Sequence, residues 1–115
     1  MYALNFYNDL YGDVLRNHRK TVTIRLGDKT DKYQAGMLVW VTIGPRFGRR
    51  QKLYTAILDR VEVKPIQDLS PRDIERENPE LRSVEDVITV LERIYGDVIT
   101  PLHAVTVIHF SRVDE

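Results

Sequence analysis

The stretch Arg19-Lys20-Thr21-Val22-Thr23-Ile24-Arg25-Leu26 decides how this chain is read. From Thr21 to Leu26 it alternates Thr21, Thr23 and Arg25 with Val22, Ile24 and Leu26. A period of two with β-branched residues predicts a strand that lays one face on a core. Ahead of it, Leu10, Tyr11, Val14 and Leu15 recur at helical spacing. They predict a helix capped by Asn8 or Asp9 and running to about Arg16, weakened but not ended by Gly12. Farther back, Tyr2 to Tyr7 reads as a short strand with Leu4 and Phe6 on one side.

Beyond the central stretch, Gly27-Asp28 and the polar run to Gln34 predict a loop. Met37 to Ile43 reads as a strong strand containing Trp40, and Leu53 to Val63 as a long returning strand. Between them, Gly44-Pro45-Arg46-Phe47-Gly48-Arg49-Arg50 is a glycine- and arginine-rich hairpin loop. Ser70-Pro71-Arg72-Asp73 carries a capping residue, a first-turn proline and an early acid, which predicts a helix start. Asn78-Pro79 keeps that helix short. Ser83-Val84-Glu85-Asp86 starts a second helix, whose stripe Val84, Val87, Ile88, Leu91, Ile94 and Tyr95 ends at Gly96. Ala104 to Val113 reads as a last strand. Strand, helix, several strands, two helices and a strand predict an α+β domain, a small, strongly curved, mostly antiparallel sheet or barrel decorated by helices.

With 115 residues, the chain fits one domain spanning 1–115. It is 43% hydrophobic and 30% charged, a globular balance rather than a disordered or membrane one. The absence of cysteine excludes disulfides and thiolate chemistry and points to a reducing, cytoplasmic setting. Met1 to Phe6 lacks the pattern of a signal peptide, and no apolar run is long enough to cross a bilayer. Net charge is zero, yet residues 1–65 hold twelve of the 17 Lys/Arg and six of the 17 Asp/Glu. The balance is reversed in residues 66–115. Such a split serves a polyanion partner, or it lets the two halves neutralise each other in the fold; both readings stand.

His18, His103 and His109 are scattered without metal-ligand spacing, so no metal centre is expected. There is no phosphate-cradling glycine loop and no Gly-x-Ser-x-Gly. What remains is the polar run from His18 to Arg25 and a candidate acid, Glu77. On residue types alone, Lys20, Thr21, Thr23 and Arg25 read first as a solvated strand face, and Glu77 as a surface acid at a helix end.

The stretch from Leu4 to Leu26 resembles the N-terminal part of ASCH-domain proteins, which have a PUA-like β-barrel fold. Their signature, Gly-x-Lys-x-x-Glu-x-Arg, reads here His18-Arg19-Lys20-Thr21-Val22-Thr23-Ile24-Arg25. Lys20 and Arg25 match, while His18 stands for the glycine and Thr23 for the glutamate. Threonine at that place is similar to the small bacterial N(4)-acetylcytidine amidohydrolases, whose segment is Lys-Thr-Ile-Thr-Ile-Arg. Tyr33-Gln34-Ala35-Gly36, Glu77-Asn78, Ile94-Tyr95 and Val107-Ile108-His109-Phe110 extend the likeness over nearly the whole chain. The arginine-rich loop from Pro45 to Lys52 departs from that subgroup, which has an acidic turn there.

The resemblance implies Lys20, Thr23 and Glu77 as a catalytic set that needs neither cofactor nor metal. Arg25, Arg19, Thr21 and Tyr33 would bind substrate, an acetylated cytidine or related acylated nucleoside. A threonine hydroxyl needs a neighbour to take its proton, and a lysine does so only when burial or a nearby cation lowers its pKa. Residues three apart on a regular strand point to opposite faces, so Lys20 and Thr23 can cooperate only if Lys20 sits in the turn before the strand or the strand is bulged; the expectation is that the strand begins after Lys20. The alternative expectation is an RNA-binding module in which Arg46, Arg49, Arg50 and Lys52 grip phosphates and Trp40, Tyr33 or Phe47 stacks on bases. ASCH-type ribonuclease activity and a plain interaction domain are weaker alternatives. The partner is accordingly a small nucleoside or RNA, with no membrane involved.

Overall fold

The computed structural model describes residues 1–7, 11–13, 15, 20–45 and 47–114. Five strands form a single sheet: β1 (Ala3–Phe6), β2 (Val22–Leu26), β3 (Leu38–Ile43), β4 (Gln51–Pro65) and β5 (Ala104–Val113). Their spatial order is β1-β3-β4-β5-β2. The β1–β3 pair is parallel and the other three pairs are antiparallel. Residues 11–13 and 15 are helical (α1), and α2 (Pro71–Glu77) and α3 (Val84–Tyr95) fill the run between β4 and β5 after a 3₁₀ turn at Ile66–Asp68. This is an α+β fold in which the sheet curls into a small, open, PUA-like barrel. The expected caps at Asn8 and Asp9 lie outside the described residues.

Alternation along each strand divides the interior in two. Val22 and Ile24 of β2 join Val105 and Val107 of β5 against Ile66, Leu69, Ile74, Val87 and Leu91 beneath the helices. On the other face, Leu4, Phe6, Tyr11, Leu15, Val39, Val41, Leu58 and Phe110 pack within the curl. Ladder irregularities between Val41 and Thr42 and between Leu58 and Arg60 sharpen the bend, as bulges do. The curl is strong enough that β1 and β2, the two ends of the strand order, come within reach of one side chain: Arg25 Nη2 donates to Asn5 O at 3.2 Å.

The helix ends follow their capping residues. Ser70 Oγ accepts from Asp73 N and Ser83 Oγ from Asp86 N. α3 ends at Gly96 in the left-handed region (φ 78°), where a side chain would be strained. No helix among the described residues is long and apolar enough to cross a membrane.

Candidate functional site

β2 begins at Val22, so Lys20 stands ahead of the regular strand, as cooperation with Thr23 requires. Backbone bonds fix that approach: Thr21 N donates to Arg76 O, and Thr21 O accepts from Phe110 N. Lys20 is therefore turned inward, and it is only 1% exposed. Its Nζ donates to Val22 O and Glu77 O, each at 2.7 Å, and forms an ion pair with Glu77 Oε1 at 2.7 Å. The rings of Tyr11 and Phe6 lie beneath it, with centroids at 4.5 and 5.2 Å. Burial pulls the Lys20 pKa down from 10.5 to about 8; Glu77 opposes that shift and Arg25 adds to it.

Glu77 is the last residue of α2 and is buried rather than a surface acid. Its Oε2 accepts from Ile24 N at 2.7 Å. β2 pairs with β5 alone, so this carboxylate satisfies an edge-strand amide that has no strand on that side. One carboxylate thus closes the β2 edge and neutralises the buried ammonium.

Thr23 is also buried, and its Oγ1 accepts from Arg25 Nε at 2.9 Å. The Arg25 guanidinium lies 4.8 Å from the Phe6 centroid while it reaches Asn5 O across the seam. Asn5 is itself fixed: its Nδ2 donates to Gly44 O, and its Oδ1 accepts from Thr42 Oγ1. At this seam lies a cavity of about 40 Å³ lined by Asn5, Phe6, Tyr11, Thr23, Arg25 and Tyr95 among others. Lys20 does not line it. It lines a wider cleft of about 540 Å³ with Thr21, Arg76, His109 and Arg112.

The structure therefore brings Lys20 and Glu77 into direct contact and sets Thr23 on Arg25. Lys20 donates to Val22 O, the carbonyl of the peptide leading into Thr23, rather than to the threonine hydroxyl. Thr21 is exposed in the wider cleft. Tyr33 is taken up in the core, where its hydroxyl donates to Ala3 O, away from the Thr23 cavity. Arg19 lies outside the described residues, as do His18 and Arg46. Among the described residues, no group of three His, Cys, Asp or Glu could hold a metal.

Arg49, Arg50 and Lys52 are exposed, and Lys52 Nζ sits 5.6 Å over the Trp40 ring. Phe47 is 87% exposed. This hairpin is joined to the seam: Gly44 N donates to Phe6 O, and Gly44 O accepts from Asn5 Nδ2. Tyr11 is the site residue that sequence reasoning misses. Its helical spacing marks it as core, which it is, and nothing in that periodicity reveals that its ring lies under the Lys20 ammonium.

No family model and no curated protein matches the sequence. Solved structures do match the fold. An ASCH domain from Lactobacillus crispatus JV V101 aligns with TM-score 0.69 at 14% identity, over 96% of this chain and 78% of that one. Protein EF3133 from Enterococcus faecalis V583, of family model DUF984, aligns with TM-score 0.65 at 20% identity, over 90% of this chain and 69% of that one. The hypothetical protein PH0355 aligns with TM-score 0.67 at 14% identity, over 97% and 98%. The chain has the ASCH-domain fold.

Proposed function

We propose that this protein is an amidohydrolase that removes the acetyl group from N(4)-acetylcytidine or a related acylated nucleoside, with Thr23 as nucleophile and Lys20 and Glu77 as its acid–base pair. The observation that carries this reading is the buried Lys20, whose pKa of about 8 makes a neutral amine accessible near physiological pH and whose Nζ donates to the carbonyl of the peptide leading into the buried Thr23. The Arg25 donor on Thr23 Oγ1 stabilises negative charge as the hydroxyl loses its proton. The short acyl group enters the seam cavity, whose volume suits an acetyl better than a whole base.

In the forward step Thr23 Oγ1 attacks the acyl carbon, and its proton passes to neutral Lys20. The C–N bond breaks as Lys20 returns that proton to the departing cytosine amine, leaving an acetyl ester on Thr23. Water then attacks the ester and gives a proton to Lys20, which returns it to Thr23 Oγ1 as the ester C–O bond breaks and acetic acid leaves, to ionise in solvent. Glu77 holds the ammonium each time it forms. The test is to mix the protein with N(4)-acetylcytidine, follow cytidine release, and examine the acid-quenched Thr23 peptide for an acetyl ester. No cytidine release by the wild-type protein ends the reading.

A second reading, RNA binding, is favoured by the hairpin. The stretch 33–58 contains no Asp or Glu, and it presents Arg49, Arg50 and Lys52 beside Trp40 and the exposed Phe47. Cations interleaved with aromatic faces suit a single strand, through phosphate contacts and base stacking. Because Gly44 at the root of the hairpin bonds to Asn5, an RNA held there would lie near the seam cavity. The two readings are compatible.

A further inference from the structure

We infer that Tyr95 determines specificity for the proposed reaction: its ring, at the mouth of the Thr23 cavity, takes the planar base of the substrate while the acyl group lies inside. This deepens the amidohydrolase reading and rests on it for its catalytic consequence, though not for the binding of a base.

The cavity that Thr23 and Arg25 line has a volume of about 40 Å³. That is room for about three waters, which suits an acetyl group and not a pyrimidine ring. A base joined to the acyl group must therefore lie outside, against the mouth of the cavity. The wider cleft is large enough for a base, but Thr23 does not line it. Of the residues that line the small cavity, Tyr95 is the one that is exposed, at 39%. Thr23, Phe6, Tyr11 and Ile24 are buried, and the others are half-buried. Tyr95 thus reaches from the cavity to solvent.

The ring is held at both ends. Tyr95 is the last residue of α3, and Gly96 in the left-handed region turns the chain away behind it. Ile94 beside it packs against the core within the curl. At the far end, the Tyr95 hydroxyl accepts from Leu26 N at 3.4 Å. Leu26 N, like Ile24 N, is an amide on the free edge of β2 that a side chain satisfies.

Core packing does not account for this tyrosine. Val87 and Leu91 of the same helix are buried, whereas Tyr95 stays in contact with water. An anchored ring beside a cavity too small for a base offers the flat face on which a base stacks. Cleavage of the exocyclic amide leaves the base planar, so stacking acts alike on bound substrate and on the transition state. It therefore shows in KM rather than in kcat.

Two variants separate the face from the hydroxyl. Tyr95→Leu keeps an apolar side chain at the helix end and removes the aromatic face, and Tyr95→Phe keeps the face and removes the hydroxyl. On N(4)-acetylcytidine, Tyr95→Leu should raise KM on the order of tenfold with kcat within about twofold, and Tyr95→Phe should stay within about threefold of wild type in both. In an NMR titration of the wild-type protein, cytidine should shift the Tyr95 ring resonances, and ribose, which lacks the base, should leave them in place. A Tyr95→Leu KM within about twofold of wild type overturns the proposal, as does a loss confined to kcat, which a purely structural tyrosine would give. Tyr95 resonances that cytidine leaves unmoved overturn it as well. If the wild-type protein releases no cytidine, the amidohydrolase reading fails, and titration with the uncleaved N(4)-acetylcytidine, read at the Tyr95 ring, decides by itself whether a base binds there.

Discussion

The Lys20 ammonium and the Glu77 carboxylate meet at 2.7 Å inside the protein, and the second carboxylate oxygen holds the Ile24 amide at the same distance. The pair joins the residue ahead of β2 to the end of α2 across 57 positions of sequence. Burying two charges is costly, and removing one partner strands the other. Glu77→Ala should therefore lose about 3–5 kcal/mol of stability in urea unfolding. The double variant Lys20→Met/Glu77→Leu should recover much of it, as neither charge is then left alone. A single-variant loss below about 1 kcal/mol would mean that the pair is not buried as described.

The lowered Lys20 pKa has a consequence for stability against pH. Burial brings it to about 8 from 10.5. Between those values the unfolded chain keeps the proton that the native state sheds, so the unfolded state binds more protons and stability rises with pH through this window. Below about pH 8 both states are protonated, and the penalty from Lys20 is constant. Unfolding measured at several pH values should show this rise in the wild-type protein relative to Lys20→Met. Parallel curves for the two proteins contradict it.

Arg25 spans the seam with one planar fork, Nε on Thr23 Oγ1 and Nη2 on Asn5 O. Lysine places all its donors on one nitrogen and lacks the planar fork that reaches both acceptors across the seam. Arg25→Lys should lower kcat on N(4)-acetylcytidine on the order of tenfold and leave KM within about threefold, because the lost donor acts on developing charge at Thr23. A change confined to KM would instead make Arg25 a substrate-binding group.

The fold was legible where side-chain pattern and capping chemistry agree. The alternation from Thr21 to Leu26 predicts β2, and Val22 and Ile24 do face the helix-side core. Ser70 and Ser83 cap the helices that they mark, and Gly96 ends the second. The long strand is Gln51–Pro65, longer than Leu53 to Val63, because pairing with β3 extends it back to Gln51 and pairing with β5 carries it on to Pro65. The site was legible only in part. Lys20, Thr23 and Arg25 sit close in sequence, whereas Glu77 reads locally as a surface acid, and only the end of α2 meeting the β2 edge buries it. Tyr33 carries no local sign that its hydroxyl is used on Ala3 O, nor Tyr11 that its ring lies under the Lys20 ammonium. Long-range contacts settle such matters, and periodicity does not encode them.

The hairpin makes a separate prediction. Binding of a single-stranded oligoribonucleotide should weaken steeply with salt, and Arg49→Ala/Lys52→Ala should reduce the slope of log K against log salt by about one to two. Trp40→Ala should weaken binding with little change in that slope, since stacking releases no counterions. An unchanged slope in the double variant would take the hairpin out of any nucleic-acid surface.

The most direct measurement of the central claim is the rate of cytidine release from N(4)-acetylcytidine by the wild-type protein beside Thr23→Ala, Lys20→Met and Glu77→Gln, with each variant shown to be folded. The account predicts turnover by the wild-type protein and a loss on the order of a hundredfold or more in kcat for Thr23→Ala and for Lys20→Met. A wild-type rate no different from that of Thr23→Ala would contradict it.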